Sequence, residues 1–280
     1  MSAPVSRCSA FAEKSAEEIS RSYLGWFRRL RVCCAAAAVI VGTVAIAGLL
    51  VLDSLVLYLL GLVVLVGIGV WFRLRVGREF KTLVAIINTD CDAEKWRGVI
   101  CRLREHDVRR RRARSLCDCY LALADLEELR PADALGRMSG LSFGRRSVMN
   151  VMLYQNRVVC ANELGDAETR DAALAALREL VAGYRAGSTK RELAQRQLTG
   201  LELSLKPREA WDAEDEAHAR ERAEEAPSHR ERVSWTLLLA ERELLGGRVD
   251  AARGLLDERD LVPMTPRAAA RREALLARLP

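Results

Sequence analysis

Charge is missing from 41 consecutive residues: positions 32–72 hold one ionisable acid or base, Asp53. Histidine is scarce, with His106, His218 and His229 the only three, and none stands in a serine, cysteine or acidic partner motif. The eight cysteines form no Cys-x-x-Cys pair, and no glycine-rich phosphate loop occurs. Each absence excludes something. A stretch so poor in charge does not suit a wholly soluble chain. Thiols without zinc-like spacing argue against a structural metal and against a secreted disulfide scaffold. A chain that is 50% hydrophobic is not disordered, and it has no collagen-like period. What is present divides sharply: residues 73–280 carry 38 Lys+Arg against 34 Asp+Glu, so that about a third of them are charged.

A single helix over the 41 residues would be about 60 Å long, twice the hydrocarbon thickness of a bilayer. The run must fold back, and Leu52-Asp53-Ser54 is its one polar break. That predicts a transmembrane hairpin over 32–72 with helices at 32–51 and 55–72, helical because lipid offers no partner for unpaired backbone groups. Trp26, Phe27, Arg28, Arg29 and Arg31 precede the first span; Trp71, Phe72, Arg73 and Arg75 follow the second. Both clusters combine interfacial aromatics with positive charge, which places both termini on the cytoplasmic side. Asp53 is expected to cap the second helix or face water at the turn rather than hold an ion. The first span is too long for a cleaved leader, follows Glu13, Glu17 and Glu18, and is succeeded at once by another. Gly42, Gly48, Gly61, Gly67 and Gly69 would permit close helix approach.

Residues 1–14 are small and polar and are expected to be disordered. Ser15-Ala-Glu-Glu18 reads as a capping box, and Ile19, Tyr23, Trp26, Phe27 and Leu30 recur at helical spacing. An amphipathic helix over 15–31 follows, either lying in the cytoplasmic membrane interface or packing on the soluble domain.

Residues 76–280 show helical periodicity throughout, as in Ala113, Leu116, Tyr120, Leu123 and Ala124. Thr189-Lys-Arg-Glu192 and Ser228-His-Arg-Glu231 read as capping boxes, Thr265-Pro266 as a cap before an N-terminal proline, and Pro131 and Pro207 as helix starts. Longer helices are expected at roughly 78–88, 110–128, 149–164, 190–204 and 230–245, with a last one at 266–278. Between them recur short alanine-bearing segments whose alanines, Ala134, Ala172, Ala210 and Ala251, are separated by 38, 38 and 41 residues; Ala93 stands 41 before the first. Each is read as the start of a second helix that crosses its partner closely enough to require a small side chain. A pair of this kind cannot bury its face alone, so the pairs are expected to stack.

Leu239-Ala240, Leu244, Gly247-Arg-Val-Asp250 and Ala252, with the turn at Asn162-Glu-Leu-Gly165-Asp166, resemble the tetratricopeptide-repeat family. The resemblance covers about 130 residues. The period is longer than that family's, and most of its aromatic positions are not filled. It implies an all-α chain in which a cytosolic helical-hairpin solenoid follows the membrane hairpin, with a curved surface for a protein partner.

No catalytic, cofactor-binding or metal-ligating set emerges. Cys117 and Cys119 are two apart on a helix and point to different faces. Cys33 and Cys34 stand at the membrane boundary, where lipid attachment and small apolar packing are alternatives. Arg109, Arg110, Arg111, Arg112 and Arg114 form the strongest charge feature, read as contact with anionic lipid or an acidic partner, or as a solvated helix start. Aromatics are too few there for a nucleic-acid face, since only Tyr120 lies nearby. The leading expectation is a membrane-anchored helical-repeat adaptor for a protein of unidentified kind, with oligomeric state open. Alanine, arginine and leucine usage points to a GC-rich bacterium and its inner membrane. The alternative is a structural or regulatory subunit of a membrane-embedded complex that uses the hairpin itself as its contact.

Overall fold

The computed structural model describes residues 8–106, 111–145 and 147–280, and of 111 and 112 the backbone alone. Among the described residues every regular element is helical. The chain divides into two compact units, Glu13–Ala85 and a second made of Ile86–Pro280 with the segment ending at Ala12.

The first unit is a hairpin of two long helices, α1 (Ala16–Leu52) and α2 (Leu55–Leu83). The expected capping box starts α1: the Ser15 hydroxyl accepts from the Glu18 N–H at 3.2 Å, and the Ser15 N–H donates to the Glu18 carboxylate at 2.8 Å. The separate helix expected at 15–31 is not separate, because α1 runs on unbroken through residue 32. No proline interrupts it, and one glycine, Gly25, costs a helix only about 1 kcal/mol. α2 likewise continues eleven residues past 72. At the turn, Asp53 is exposed and left-handed at φ 46°, and the Ser54 N–H donates to the Gly48 carbonyl at 3.0 Å. That closes the end of α1. Of the two roles expected for Asp53 it has the exposed one; Ser54 caps α2, accepting from the Leu57 N–H.

Two of the five glycines make the close approach. A methyl group added at Gly61 would sit 2.4 Å from the Ala45 Cβ, and one at Gly48 would sit 3.0 Å from the Leu57 Cβ. Gly42, Gly67 and Gly69 meet nothing within 4 Å. Beyond the apolar part, aromatic rings pack the two helices: Phe27 lies 6.0 Å from Phe72, and Tyr23 lies 6.5 Å from both Phe27 and Phe80. Such pairs add about 0.5–1.5 kcal/mol each beyond area burial.

In the second unit Ser9 and Ala12 are held, contrary to the expected disorder over that part of 1–14. Asp90 accepts from the Ser9 N–H at 2.6 Å and from its hydroxyl at 2.5 Å, and Lys95 donates to the Ala12 carbonyl at 2.9 Å. Residues 1–7 lie outside the described part. After the short α3 (Ala85–Asn88) come α4 (Ala93–His106), α5 (Arg111–Glu127), α6 (Pro131–Met138), α7 (Met149–Glu163), α8 (Ala167–Ala182) and α9 (Thr189–Leu205). Then follow α10 (Ala213–Glu224), α11 (His229–Leu245), α12 (Val249–Leu255), α13 (Glu258–Leu261) and α14 (Pro266–Leu276). The long helices α5, α7, α9 and α11 stand where periodicity put them. Thr265 and Pro266 start α14 as expected, with the Thr265 hydroxyl accepting from the Ala268 N–H at 3.3 Å. The cap of α9 is Ser188 rather than Thr189, and the Ser228 cap of α11 forms only half its box, since Glu231 binds Arg222 instead.

The core is a chain of local clusters. Leu126, Ala134, Met138 and Leu153 join α5, α6 and α7. Val158, Leu177, Val181 and Leu198 join α7, α8 and α9. Trp211, Ala219, Trp235 and Leu238 join α10 to α11. Leu237, Leu256, Leu261 and Leu275 join α11 to the C-terminal helices.

The alanine recurrence needs correction. Ala93 and Ala134 are buried, but Ala172, Ala210 and Ala251 are exposed; the buried positions are Ala173, Ala219 and Ala252. On a helix one residue is a turn of about 100°, enough to carry a side chain from core to solvent. Pro207 does not begin the helix either. Arg208–Ala210 is a 3-10 turn, and α10 starts at Ala213 with a reciprocal Asp212–Asp215 capping box. The Arg208 guanidinium reaches back to the Leu203 carbonyl at 3.0 Å, satisfying the end of α9, and stacks 4.4 Å from the Trp211 ring. Trp211, 3% exposed, must stay extended to enter the core.

Replacing Gly61 by valine is expected to destabilise the hairpin by about 1–3 kcal/mol, because the Ala45 backbone and methyl have nowhere to move. Gly67→Val, in open space, is expected to be neutral. Unfolding in mixed detergent micelles measures both, and equal midpoints would show that the helices do not meet at Gly61.

Candidate functional site

The least ordinary side chain in the molecule is Glu127, the last residue of α5 and 3% exposed. One carboxylate oxygen accepts from Arg230 of α11 at 2.8 Å and the other from the Thr265 hydroxyl at 2.8 Å. Arg267 of α14 approaches to 3.9 Å and also pairs with Glu163 of α7, while Arg230 donates to Asn88 at 3.2 Å. One acid therefore gathers α3, α5, α7, α11 and α14. Burial works to raise the Glu127 carboxyl pKa, and the guanidiniums of Arg230 and Arg267 with the Thr265 hydroxyl prevail, holding it below its ordinary value. Arg267 is held above its own ordinary value by Glu127 and Glu163, against burial.

Asp125, fully buried two residues earlier, is met by Arg97 at 2.6 Å, Arg137 at 2.8 Å and Arg130 at 3.4 Å, which ties α4 and α6 to α5. Both acids are neutralised from within the domain. Burial pushes the thiols of Cys91, Cys119 and Cys160 up to about 12. They are protonated near neutrality and are neither nucleophiles nor thiolate ligands. His229 is buried; its Nε2 faces the Leu261 and Pro263 carbonyls at 3.0 and 2.9 Å, and its Nδ1 accepts from Arg232 at 2.8 Å. The ring holds a loop in place.

Between α9 and α10 lies an open depression lined by Glu202, Lys206, Asp212, Asp215, His218 and Glu221. Its charges are largely paired: Lys206 with Asp215, Glu202 with Arg178 at 2.6 Å, and His218 beside Glu221 at 3.5 Å. Among the described residues no three His, Cys, Asp or Glu side chains are placed to hold a metal ion.

The residues singled out in the sequence are distributed as follows. Arg28, Arg29, Arg31, Arg73 and Arg75 are exposed on the hairpin, as is Trp71, whereas Trp26, Phe27 and Phe72 are half-buried. Arg109 and Arg110 lie outside the described residues; Arg111 and Arg112 begin α5, with side chains likewise outside, and Arg114 is exposed on its first turn. Sequence reasoning missed Glu127 and its partners, although a signal was there. The stripe Leu116, Tyr120, Leu123, Ala124 continues at helical spacing to 127, so a carboxylate stood on an apolar face.

Compared with known proteins, the chain matches no family model, no curated protein and no solved structure.

Glu127→Gln removes the buried anion on which Arg230 and Arg267 converge and is expected to cost about 3–5 kcal/mol, read as a lowered urea midpoint at unchanged slope. The folded carboxyl titrates below its ordinary 4.5. Its stabilisation is therefore complete above that pH and lost as pH falls through the lower, folded value. Below pH 4.5 the wild type should lose stability more steeply than the variant; parallel curves would show that Glu127 does not act as a paired anion.

Proposed function

We propose that this chain is a membrane-tethered helical-repeat adaptor, holding a protein partner at the cytoplasmic face of a bacterial inner membrane. One observation carries the tether. The most apolar windows of the two hairpin helices are only 11% and 6% buried, so nearly all of a long hydrophobic surface faces outward. Water does not tolerate a patch of that extent on a soluble monomer, and a core helix of a soluble domain would be covered. Residues 32–52 and 55–72 have helical lengths of about 31 and 27 Å, which suit a hydrocarbon core of about 30 Å. The arginines at the open end of the hairpin favour that end as cytoplasmic. Alanine, arginine and leucine usage supports the bacterial assignment.

The adaptor half of the proposal is supported by the paired helices of the second unit and by the resemblance of the motifs at 162–166 and 239–252 to the tetratricopeptide-repeat family. The side chains a catalytic reading would draw on favour binding over chemistry: the buried thiols are protonated and His229 is engaged by backbone carbonyls.

Crosslinking in cells with mass spectrometry, on the full chain and on a form lacking 32–72, tests both halves. A common partner linked to residues 110–260 in both forms is the expected result. Links to membrane proteins alone, made only when the hairpin is present, would replace the adaptor by a subunit that uses the hairpin as its contact.

A further inference from the structure

The hairpin carries a charge that nothing in the described protein neutralises. In the helical domain, guanidiniums meet carboxylates: Arg97 with Asp125, Arg230 with Glu127, Arg242 with Glu216. On the hairpin, Arg28, Arg29, Arg31, Arg73 and Arg75 are all exposed, and among the described residues none of them forms an ion pair. Their one polar contact is a long bond from Arg29 Nε to the Gly25 carbonyl, 3.4 Å. An ion pair of this unit, Arg21 with Glu17, lies farther from the apolar segment. The five arginines supply most of the chain's surplus: without them the formal net charge of +6 falls to +1.

They also cluster at one end of the hairpin, beyond the apolar segments. Phe27 beside Phe72, 6.0 Å between centroids, sits between them: Arg28, Arg29 and Arg31 follow on the apolar side of that contact, and Arg73 and Arg75 on the other. Arg28 to Arg31 rises about 4.5 Å along its helix, and Arg73 to Arg75 about 3 Å. The five guanidiniums thus form a band about 10 Å deep, which side chains as long as arginine can gather toward one headgroup layer. A headgroup layer occupies about 5–7 Å on each side of the hydrocarbon, and the band begins where the apolar segments end. Guanidinium forks match phosphate oxygens two at a time.

We propose that this band binds the phosphodiester headgroups of anionic phospholipids, as a ring of specific lipid sites around the tether. The inference rests on the membrane reading above. It makes the lipid the missing counter-charge, so a leaflet of zwitterionic lipid leaves the five arginines repelling one another.

Native mass spectrometry of the full chain in a non-ionic detergent, offered an equimolar mixture of phosphatidylglycerol and phosphatidylcholine, tests it. Retained phosphatidylglycerol is expected to exceed phosphatidylcholine about tenfold, a fraction of what five arginines at about fivefold each would allow. The preference should fall to about parity in R28Q/R29Q/R31Q/R73Q/R75Q and should largely survive in the corresponding five-lysine variant, whose comparison separates charge from damage to the fold. It should weaken as salt shortens the screening length. Excess glycerol 3-phosphate should not displace the retained lipid; displacement would mean that the site takes a soluble phosphate instead. No preference in the wild type, or an undiminished one in the glutamine variant, overturns the proposal. Alkaline carbonate extraction of cell membranes separates the two failures: a wild type that stays in the membrane without lipid preference has a tether and no lipid sites, and one that is released has neither.

Discussion

A buried carboxylate cannot remain charged unless its surroundings replace the water it has lost, and removing a charge from water costs several kcal/mol. Glu127 meets that demand with groups from opposite ends of the domain: Arg230, Thr265 and Arg267 lie 103 to 140 residues farther along the chain. The apolar clusters of this domain are local, each shared by neighbouring helices, and a stack held only that way could fray from either end. The Glu127 group changes this. It brings α14 and α11 against α5, so loosening the last helix uncovers a charge at the first pairs. The same group fixes the direction in which α5 and α14 face, since two guanidiniums and a hydroxyl must converge on two oxygens.

The hairpin obeys a different constraint. Its helices contain about 55 and 43 Å of chain, whereas the hydrocarbon of a membrane is about 30 Å thick. On the proposed membrane reading the excess falls at the open end, where Tyr23, Phe27, Phe72 and Phe80 pack the helices to each other. An amphipathic stretch over 15–31 need not lie flat to bury its apolar side when α2 extends far enough to receive it. The close contact near the turn, Gly61 on Ala45, and the aromatic contacts at the far end fix the register between them.

Much of this was legible in the sequence wherever one local rule decided the outcome. The break at Leu52–Ser54, the Ser15 box, the Thr265-Pro266 start and the positions of α5, α7, α9 and α11 all follow from composition, period or capping. What the sequence hid depended on rotation about a helix axis or on partners far along the chain. Ala172 and Ala251 were one residue from the buried positions, a difference of about 100° that no spacing argument resolves. Pro207 looked like a helix start because proline suits that place, but Arg208 was needed at the end of α9 and Trp211 in the core. Ser188 took the cap from Thr189 by standing one residue earlier in extended conformation. Glu127 fell on an apolar stripe, yet only a three-dimensional arrangement supplies Arg230 and Arg267.

The two arginine populations differ in what answers their charge. Within the helical domain the acids outbid water: Asp125 gathers three guanidiniums and Glu127 two, and the result is rigidity rather than recognition. Of the hairpin's guanidiniums, Arg28, Arg29, Arg31, Arg73 and Arg75 are exposed and form no ion pair among the described residues. Evenly distributed charge would serve solubility equally well at any height along the stem. Five arginines gathered beside the apolar segments do not serve solubility better than dispersed ones, and they add repulsion among like charges. The proposed lipid headgroups would supply the opposite sign at that end, as a freely diffusing anion would not.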